Sequence, residues 1–149
     1  MADRTVAVSA IEPSVRIRGA RGRDQAFVAA TWAFSLRDAG WRRSKANEIV
    51  DRLLDDPACR LLCACDPEEP DRLVGWIAAA TLPAARLLLY AYVRDKHRRG
   101  GIGSLLLRSA FADASKPLYH VLRGPDADAL LTKYQSKELP VETFLGGVQ

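Results

Sequence analysis

Long apolar runs are missing from this sequence of 149 residues. Its most apolar stretch, residues 78–89, is interrupted by Thr81, Pro83 and Arg86. It therefore falls short of the 18 or so apolar residues that a membrane-spanning helix needs. The first ten residues contain charges and only a short apolar segment, without the length or cleavage site of a secretion signal. We expect a soluble, cytoplasmic protein with no membrane partner.

Cysteine is also scarce. The three residues present, Cys59, Cys63 and Cys65, lie within a seven-residue segment. An odd number at such close spacing gives no disulfide framework and indicates a reducing compartment. Their even spacing puts them on one face of a predicted strand, where the side chains spread too far to converge on one metal ion. We expect three small buried apolar side chains and no metal site.

The composition is close to globular averages, with 48% hydrophobic and 27% charged residues. A chain of this length is large enough for one ordinary core, so we expect a single domain over residues 1–149, with residues 1–13 a flexible segment or a short strand. The formal net charge of +4 suits an anionic ligand and is modest for a dedicated nucleic-acid binder. A monomer and a homodimer are both compatible with the sequence.

Hydrophobic periodicity divides the chain into strands and helices. The predicted strands cover residues 15–18, 60–65, 73–79, 86–93, 117–122 and 141–145. The predicted helices cover residues 25–39, 44–55, 104–114 and 126–137. In the first helix, three- and four-residue spacing predicts a buried face formed by Phe27, Ala30, Thr31 and Phe34. This order predicts an α/β (α+β) fold with a mixed sheet and helices on its faces.

A glycine-rich turn follows the strand predicted over residues 86–93. It reads Arg98-Arg99-Gly100-Gly101-Ile102-Gly103. The start of a helix offers unpaired backbone N–H groups and the positive end of the helix dipole, which together suit a phosphate. Glycines let the backbone approach such a ligand closely, and the arginines add positive charge. A turn of this kind also begins helices that bind nothing.

Two familiar phosphate loops do not match this turn. The loop of nucleoside triphosphatases needs Gly-Lys followed by Ser or Thr, and that tripeptide does not occur in the sequence. The dinucleotide motif GxGxxG also fails, because Gly101 and Gly103 are followed by Ser104, Leu105 and Leu106. The turn therefore belongs to neither class.

The remaining pattern is VxxxxRxxGxG, which runs from Val93 to Gly103. It resembles motif A of the GNAT superfamily of N-acetyltransferases, which wraps the pyrophosphate of acetyl-CoA. The element order from about residue 15 to residue 145 is similar to that of the family as well. The resemblance implies a mixed, mostly antiparallel sheet of about six strands with helices on both faces, and acetyl-CoA or another acyl-CoA as co-substrate.

The resemblance also implies which residues bind the coenzyme. In the family, the fourth and fifth strands splay apart and pantetheine lies in the gap. Backbone groups of Tyr92, Val93 and Arg94 are thereby implied to bond to pantetheine. The residues implied to hold the pyrophosphate are Arg98, Arg99, Gly100, Gly101, Ile102, Gly103 and Ser104.

Tyr134 falls where many family members carry a tyrosine that protonates the leaving sulfur, so the resemblance implies a general acid there. The alternative is a tyrosine that packs its ring and exposes its hydroxyl. Family members often continue with Gly-Phe and two long strands, whereas Lys-Glu-Leu-Pro follows here at residues 137–140. The acceptor side is therefore open.

The group that accepts a proton from the acceptor is also open. Tyr90 and Tyr92 share a face of the fourth strand, where some family members place a glutamate, and no carboxylate lies between Arg86 and Val93. Tyr90, His120 and a water-relayed path are the options. A histidine on a strand is also commonly a structural, hydrogen-bonded group.

Trp41, Arg42 and Arg43 join the first two predicted helices, in a segment that commonly lines the acceptor cleft of the family. An aromatic ring beside two cations could bind a base with its phosphate, or an acidic small molecule. The favoured alternative is an exposed loop whose tryptophan packs back on the core. The leading prediction is an acyl-CoA-dependent N-acyltransferase with an amine acceptor. The alternatives are an acceptor on nucleic acid, such as aminoacyl-tRNA or a modified DNA base, and a non-catalytic acyl-CoA-binding module.

Overall fold

The computed structural model describes residues 14–98, 100–111, 113 and 115–141. Six strands form one sheet in chain order. They are β1 (Arg16–Gly19), β2 (Arg60–Cys65), β3 (Leu73–Leu82), β4 (Ala85–Val93), β5 (Leu118–His120) and β6 (Lys137–Glu138). Strands β1 to β4 pair antiparallel, while β5 pairs parallel with β4 and β6 parallel with β5. The predicted mixed, mostly antiparallel sheet is confirmed.

Helices cover both faces of this sheet, as predicted. They are α1 (Gln25–Asp38), α2 (Arg43–Asp55), α3 (Ile102–Ala110) and α4 (Pro125–Tyr134). Helices α1 and α2 share one buried cluster with the sheet, and α3 and α4 share the other. In the described residues, no helix is long and apolar enough to cross a membrane.

The buried face of α1 differs from the prediction. Val28, Trp32 and Leu36 are fully buried, whereas Phe34 is 63% exposed and Phe27 only partly buried. The predicted face of residues 27, 30, 31 and 34 is therefore wrong. Apolar residues occur all around this helix, so periodicity alone could not choose between its faces, and packing against the sheet selects the side that carries tryptophan.

Three aromatic side chains attach α1 to the sheet. The ring centroid of Trp32 lies 5.2 Å from that of Trp76 on β3 and 5.7 Å from that of Tyr90 on β4. The indole N–H of Trp76 donates a hydrogen bond of 2.9 Å to the Thr31 hydroxyl. Aromatic pairs of this kind contribute about 0.5–1.5 kcal/mol each beyond the area they bury. They fix α1 against the end of β4, where the candidate site lies.

Strand β4 contains a bulge that separates its end from β5. Ala78 of β3 pairs with Tyr90, but Ala79 pairs with Leu88, so Leu89 is an extra residue in β4. Pairing between β4 and β5 extends only from Arg86 to Leu88. The β4 edge beyond the bulge, up to Val93, is therefore not covered by β5.

Several predicted boundaries change at the carboxyl end of the chain. The helix predicted over residues 126–137 ends at Tyr134, because Gln135 takes a left-handed conformation with φ of 52°, and Lys137–Glu138 form β6 instead. Helix α3 begins two residues before its predicted start at Ser104 and ends at Ala110. The strand predicted over residues 141–145 lies, except for its first residue, outside the described residues, as do residues 1–13.

The cysteines lie as predicted on the sheet face covered by α1 and α2. Cys63 and Cys65 are fully buried, and Cys59 packs against the same cluster. Burial raises the pKa of both the Cys59 and Cys63 thiols to about 11. These are therefore neutral, apolar side chains. The described residues contain no group of three or more His, Cys, Asp or Glu side chains placed to hold a metal ion.

Candidate functional site at the end of strand β4

The glycine turn connects β4 to α3. Its backbone takes a left-handed conformation at Gly101, where φ is 85°, and this residue caps the amino end of α3. A Cβ atom on Gly100 would lie 3.4 Å from the His97 carbonyl oxygen, which is a tight contact. A Cβ on Gly103 would make only ordinary contact with Leu130, at 3.6 Å. The fold therefore requires glycine most strongly at Gly101, while Arg99 lies outside the described residues.

The amino end of α3 carries backbone donors without helical partners. The first intrahelical bond runs from Leu105 N–H to the Gly101 carbonyl oxygen, at 3.0 Å. The N–H groups of Ile102, Gly103 and Ser104 have no acceptor within the helix, and no side chain caps this end. The helix dipole adds partial positive charge at the same place. Backbone donors arranged in this way are suited to an anion.

The amino end of α3 opens into a pocket of about 510 Å³ between α3 and α4, which we call the glycine-turn pocket. Its lining includes the turn at residues 100–104 together with Val93, Arg98, Asp126, Leu130 and Lys133. The Lys133 ammonium donates to the Ser104 hydroxyl at 3.1 Å, and no carboxylate among the described residues pairs with it. Lys133 was not identified from the sequence, because one lysine on a helix carries no pattern.

Arg98 lines this pocket, but its positive charge is already paired with carboxylates of the protein. Its Nε lies 3.0 Å from Oδ1 of Asp126, and another guanidinium nitrogen forms a close ion pair with Asp95. Two carboxylates therefore neutralise a residue that was predicted to hold phosphate. The Asp126 side chain is only 11% exposed, and burial raises the pKa of its carboxyl group.

The same ion pair occupies the exposed edge of β4. Asp126 Oδ2 accepts the Val93 N–H at 2.9 Å, and Arg98 Nε donates to the Val93 carbonyl oxygen at 3.1 Å. The Arg94 N–H donates to Val74 on β3 at 2.8 Å. The Tyr92 carbonyl also faces β3, where a Cβ on Gly75 would approach its oxygen to 2.7 Å. The Val93 N–H and carbonyl groups and the Arg94 N–H, which the resemblance assigned to pantetheine, thus bond to partners within the protein.

A second pocket, of about 420 Å³, lies on the α1 side of the same strand end. We call it the aromatic pocket, and it is lined mainly by Phe34, Ser35, Asp38, Tyr92, Arg94 and Lys96. Arg98 lines both pockets. Pro125 lines the aromatic pocket and its neighbour Asp126 lines the glycine-turn pocket. The two pockets therefore meet at a common wall formed by Arg98 and the start of α4.

The three predicted catalytic side chains have different surroundings. Tyr90 is fully buried between Trp32 and Trp76, and its hydroxyl makes a close hydrogen bond with that of Ser35. Burial raises the pKa of Tyr90, which keeps the phenol neutral. Tyr90 is therefore unsuited to act as a phenolate base, but it connects through Ser35 to the aromatic pocket.

Tyr134 lies at the end of α4 and packs against the cluster beneath α3 and α4. Hydrogen bonds with the side chains of Ser104 and Arg108 lower the pKa of its hydroxyl. Its hydroxyl group is thus beside a residue of the glycine-turn pocket, although Tyr134 is not among the residues that line it. A role as general acid stays a prediction.

His120 is a buried group with its own partner. It is 7% exposed, and its Nδ1 lies 2.8 Å from the Ser136 hydroxyl. Burial lowers its pKa, and the nearby Glu138 opposes that effect. The geometry favours the structural alternative for this histidine, because it lines neither pocket.

The segment predicted to contact the acceptor also lies elsewhere. Trp41 is partly buried against the cluster of α1 and α2, while Arg42 and Arg43 are exposed at the start of α2. None of the three lines the glycine-turn or the aromatic pocket. The residues that line the α1 side of the site come instead from the end of α1, the end of β4 and the turn that follows it.

Sequence comparison identifies a family for this chain. The sequence profile of the Acetyltransferase (GNAT) family matches residues 27–123, which include all but the first two residues of α1, together with α2, the glycine turn and β5. A search of curated proteins finds no match.

Solved structures with the same fold include several acetyltransferases. Ribosomal-protein-alanine N-acetyltransferase from Brucella melitensis biovar Abortus 2308 is 25% identical, with 82% of this chain and 91% of that chain covered and a TM-score of 0.59. A GNAT family acetyltransferase from Brucella melitensis in complex with acetyl-CoA is 28% identical, with 66% of each chain covered and a TM-score of 0.50. A transcriptional regulator from Bacillus halodurans C-125 is 20% identical over 81% of this chain and 89% of that chain, with a TM-score of 0.55, which shows a common fold alone.

Proposed function

This chain belongs to the GNAT family of acetyltransferases, and from that membership we propose that it transfers an acyl group from acyl-CoA, in the first instance acetyl-CoA, directly to an amine. The observation that carries the proposal is the uncapped amino end of α3, where three consecutive backbone N–H groups face a pocket of about 510 Å³. The complex of a similar Brucella acetyltransferase with acetyl-CoA supports the choice of ligand.

The residues of the glycine-turn pocket fit the pyrophosphate of a coenzyme. The N–H groups of Ile102, Gly103 and Ser104 supply neutral donors, and Lys133 supplies the positive charge that Arg98 does not. Gly103 presents no side chain toward the donors, so a phosphate group can approach the backbone closely.

The pantetheine arm of the coenzyme would have to displace contacts that the protein makes with its own β4 edge. Val93 offers the β4 edge that the arm would follow, but its N–H and carbonyl groups bond to Asp126 and Arg98. Binding along β4 therefore requires these two side chains to release Val93. A thioester held there supplies a carbonyl carbon open to attack by an amine. Transfer exchanges a carbon–sulfur bond for a carbon–nitrogen bond, while the amine loses one proton and the departing thiolate gains one.

The chain's own residues have distinct parts in this scheme. Tyr134 is proposed to give a proton to the departing sulfur, and the lowered pKa of its hydroxyl favours that direction of transfer. Tyr90 and Ser35 form a neutral hydroxyl pair that can relay a proton but cannot act as a strong base. His120, which lines neither pocket, is proposed to stabilise the start of β6 rather than to act as the base.

The test has two parts. Isothermal titration with acetyl-CoA measures binding, and a thiol-reactive dye then measures CoA release in the presence of amines. The amines include a peptide beginning with alanine, since a similar Brucella enzyme is named for acetylation of ribosomal-protein alanine. We expect saturable binding and amine-dependent thiol release. Absence of binding would remove the proposal, and binding without release by any acceptor would favour the non-catalytic module.

An acceptor on nucleic acid is the other alternative. Arg42 and Arg43 are exposed at the start of α2, as such contact would require, but they lie outside both pockets. If tRNA is the acceptor, changing both arginines to alanine weakens a salt-dependent affinity for tRNA. An affinity that is absent or unchanged in this variant would exclude that role.

A further inference from the structure

The aromatic pocket has the position that an acceptor site requires. It shares Arg98 with the glycine-turn pocket, and it reaches the same end of β4 from the opposite face of the sheet. Its volume of about 420 Å³ is in the range of small-molecule sites and is too small for more than a compact molecule or the end of a chain. A molecule in this pocket would meet a thioester at the common wall.

The charges of this pocket are not balanced. Three cationic side chains, Arg94, Lys96 and Arg98, line it together with the carboxylates of Asp38 and Asp95. Arg98 is already paired with both Asp95 and Asp126. Among the described residues, neither Arg94 nor Lys96 has a carboxylate partner. The lining itself therefore has a formal charge of +1, and its two cations without a carboxylate partner, Arg94 and Lys96, are available to an anionic group.

Arg94 is held in a fixed orientation. Its Nε donates to the Leu73 carbonyl oxygen at 2.6 Å, and its guanidinium carbon lies 5.0 Å from the centre of the Phe27 ring. In the described part of the chain, its two terminal nitrogens have no hydrogen-bond partner. A guanidinium fixed in this way presents a fork of donors that matches a carboxylate or phosphate group, and little side-chain entropy is lost when it binds.

The remaining surface is aromatic. Phe34 is the large hydrophobic side chain that is most exposed among the described residues, at 63%, and it faces the pocket beside the half-buried ring of Tyr92. Single exposed hydrophobic residues are common, but here the exposed ring is combined with a second ring and an oriented cation. Together they suit a ligand with an apolar or planar part next to its anion.

We propose that the aromatic pocket binds the acceptor, and that this acceptor is a small amine carrying a carboxylate or phosphate group next to an apolar or planar part. Arg94 and Lys96 hold the anionic group, and the rings of Phe34 and Tyr92 contact the apolar part. Asp38, at the carboxyl end of α1, offers a negative charge to the ammonium form of the amine as it enters. This inference rests on the proposed acyl transfer.

The experiment compares amines that differ in one group. Phenylalanine and phenylethylamine differ by the carboxylate, and the phosphate ester of tyramine and tyramine itself differ by the phosphate. Binding is measured without acetyl-CoA, by the amide shifts of Phe34, Tyr92 and Lys96 in ¹⁵N-labelled protein. Transfer is measured with acetyl-CoA by thiol release. We expect the anionic member of at least one pair to bind and to react at least about tenfold better than its partner, as loss of a charged hydrogen bond typically costs that much.

Variants connect this preference to the pocket. Lys96→Gln, an exposed change that leaves packing intact, is expected to reduce the preference about threefold, and Arg94→Gln to abolish it. Arg37→Gln, on the exposed surface of α1 outside the pocket, is the matched control and should keep the full preference. Thermal unfolding checks that each variant is folded.

The outcomes separate the two proposals. If an anionic amine binds at the aromatic pocket but acetyl-CoA does not bind, the pocket's preference for anionic amines is supported. The proposed acyl transfer is then rejected. If acetyl-CoA binds and amines react without preference for an anion, or Arg94→Gln retains the preference, the ligand class is overturned and the acyl transfer stands. Shifts that appear elsewhere than Phe34, Tyr92 and Lys96 would overturn the location.

Discussion

The two pockets at the end of β4 are built from different parts of the chain. The glycine-turn pocket takes its main donors from consecutive backbone N–H groups at residues 102–104. The aromatic pocket takes its polar groups from the side chains of α1, of the last residues of β4 and of the turn that follows. Most substitutions leave backbone N–H donors in place, whereas a substitution in the lining of a side-chain pocket changes its polar groups. On the proposed function, one short motif determines coenzyme binding and separate segments determine the choice of acceptor.

A negative charge at Gly103 should produce the largest effect. Gly103→Asp places a carboxylate at the backbone donors, and two charges 4 Å apart interact by about 4 kcal/mol at an effective dielectric of 20. We expect acetyl-CoA affinity to fall by about a thousandfold in isothermal titration. A Cβ is tolerated at this position, so the variant should fold.

Gly103→Asn is the matched control for that charge, because it has the same shape without the carboxylate. It should weaken acetyl-CoA binding far less than Gly103→Asp. Equal losses in the two variants would indicate that shape rather than charge determines binding at the turn, and would weaken the distinction between the two pockets.

Tyr134→Phe tests whether the glycine-turn side also supplies an acid. If its hydroxyl protonates the leaving sulfur, kcat should fall about a hundredfold with KM for acetyl-CoA unchanged. Steady-state kinetics separates the two constants. A raised KM with unchanged kcat would instead mean that Tyr134 only positions Ser104, with which its hydroxyl forms a hydrogen bond.

Lys133→Gln should weaken acetyl-CoA binding about tenfold, since this lysine is proposed to replace Arg98 as the phosphate cation. Lys137→Gln, an exposed change on β6, is the control and should leave the affinity unaltered. If Lys133→Gln has no effect, the backbone donors alone bind the phosphate. The glycine-turn pocket would then differ still more clearly from the aromatic pocket, whose polar groups are side chains.

The smallest expected effect concerns His120, which lies in neither pocket. Burial lowers its pKa below the ordinary value of 6.5, so the unfolded chain binds a proton more readily than the folded protein. Its contribution to stability is therefore present at neutral pH and declines as the pH falls below about 6.5. Thermal unfolding of wild type and His120→Asn should show a steeper decrease in Tm for the wild type between pH 6.5 and 5. Parallel curves would contradict this account.

Local patterns were sufficient for much of the fold. The bounds of β2 agree with the prediction, and the turn into α3 was identified from its glycines, because each depends on neighbours in sequence. The face of α1 could not be predicted in the same way, since both of its sides are apolar and the choice depends on Trp76 and Tyr90 of the sheet.

Of the two pockets in the candidate site, only the glycine-turn pocket, whose main donors are backbone N–H groups, was predicted from the sequence. Asp126 meets Val93 across 33 residues of sequence, and nothing local to either residue indicates that contact. Phe34 and Lys96 both line the aromatic pocket, although α2 and three strands lie between them in the sequence. A single sequence contains no signal for such pairs, and the prediction at Trp41, Arg42 and Arg43 rested on the family resemblance alone.

The central claim is that backbone donors of the glycine turn bind the coenzyme, and nuclear magnetic resonance tests it most directly. CoA is titrated into ¹⁵N-labelled protein. We predict saturable shifts at the amides of Ile102, Gly103 and Ser104, and little change at Phe34 and Lys96 of the aromatic pocket. Saturable binding that leaves the three turn amides unshifted would contradict the account.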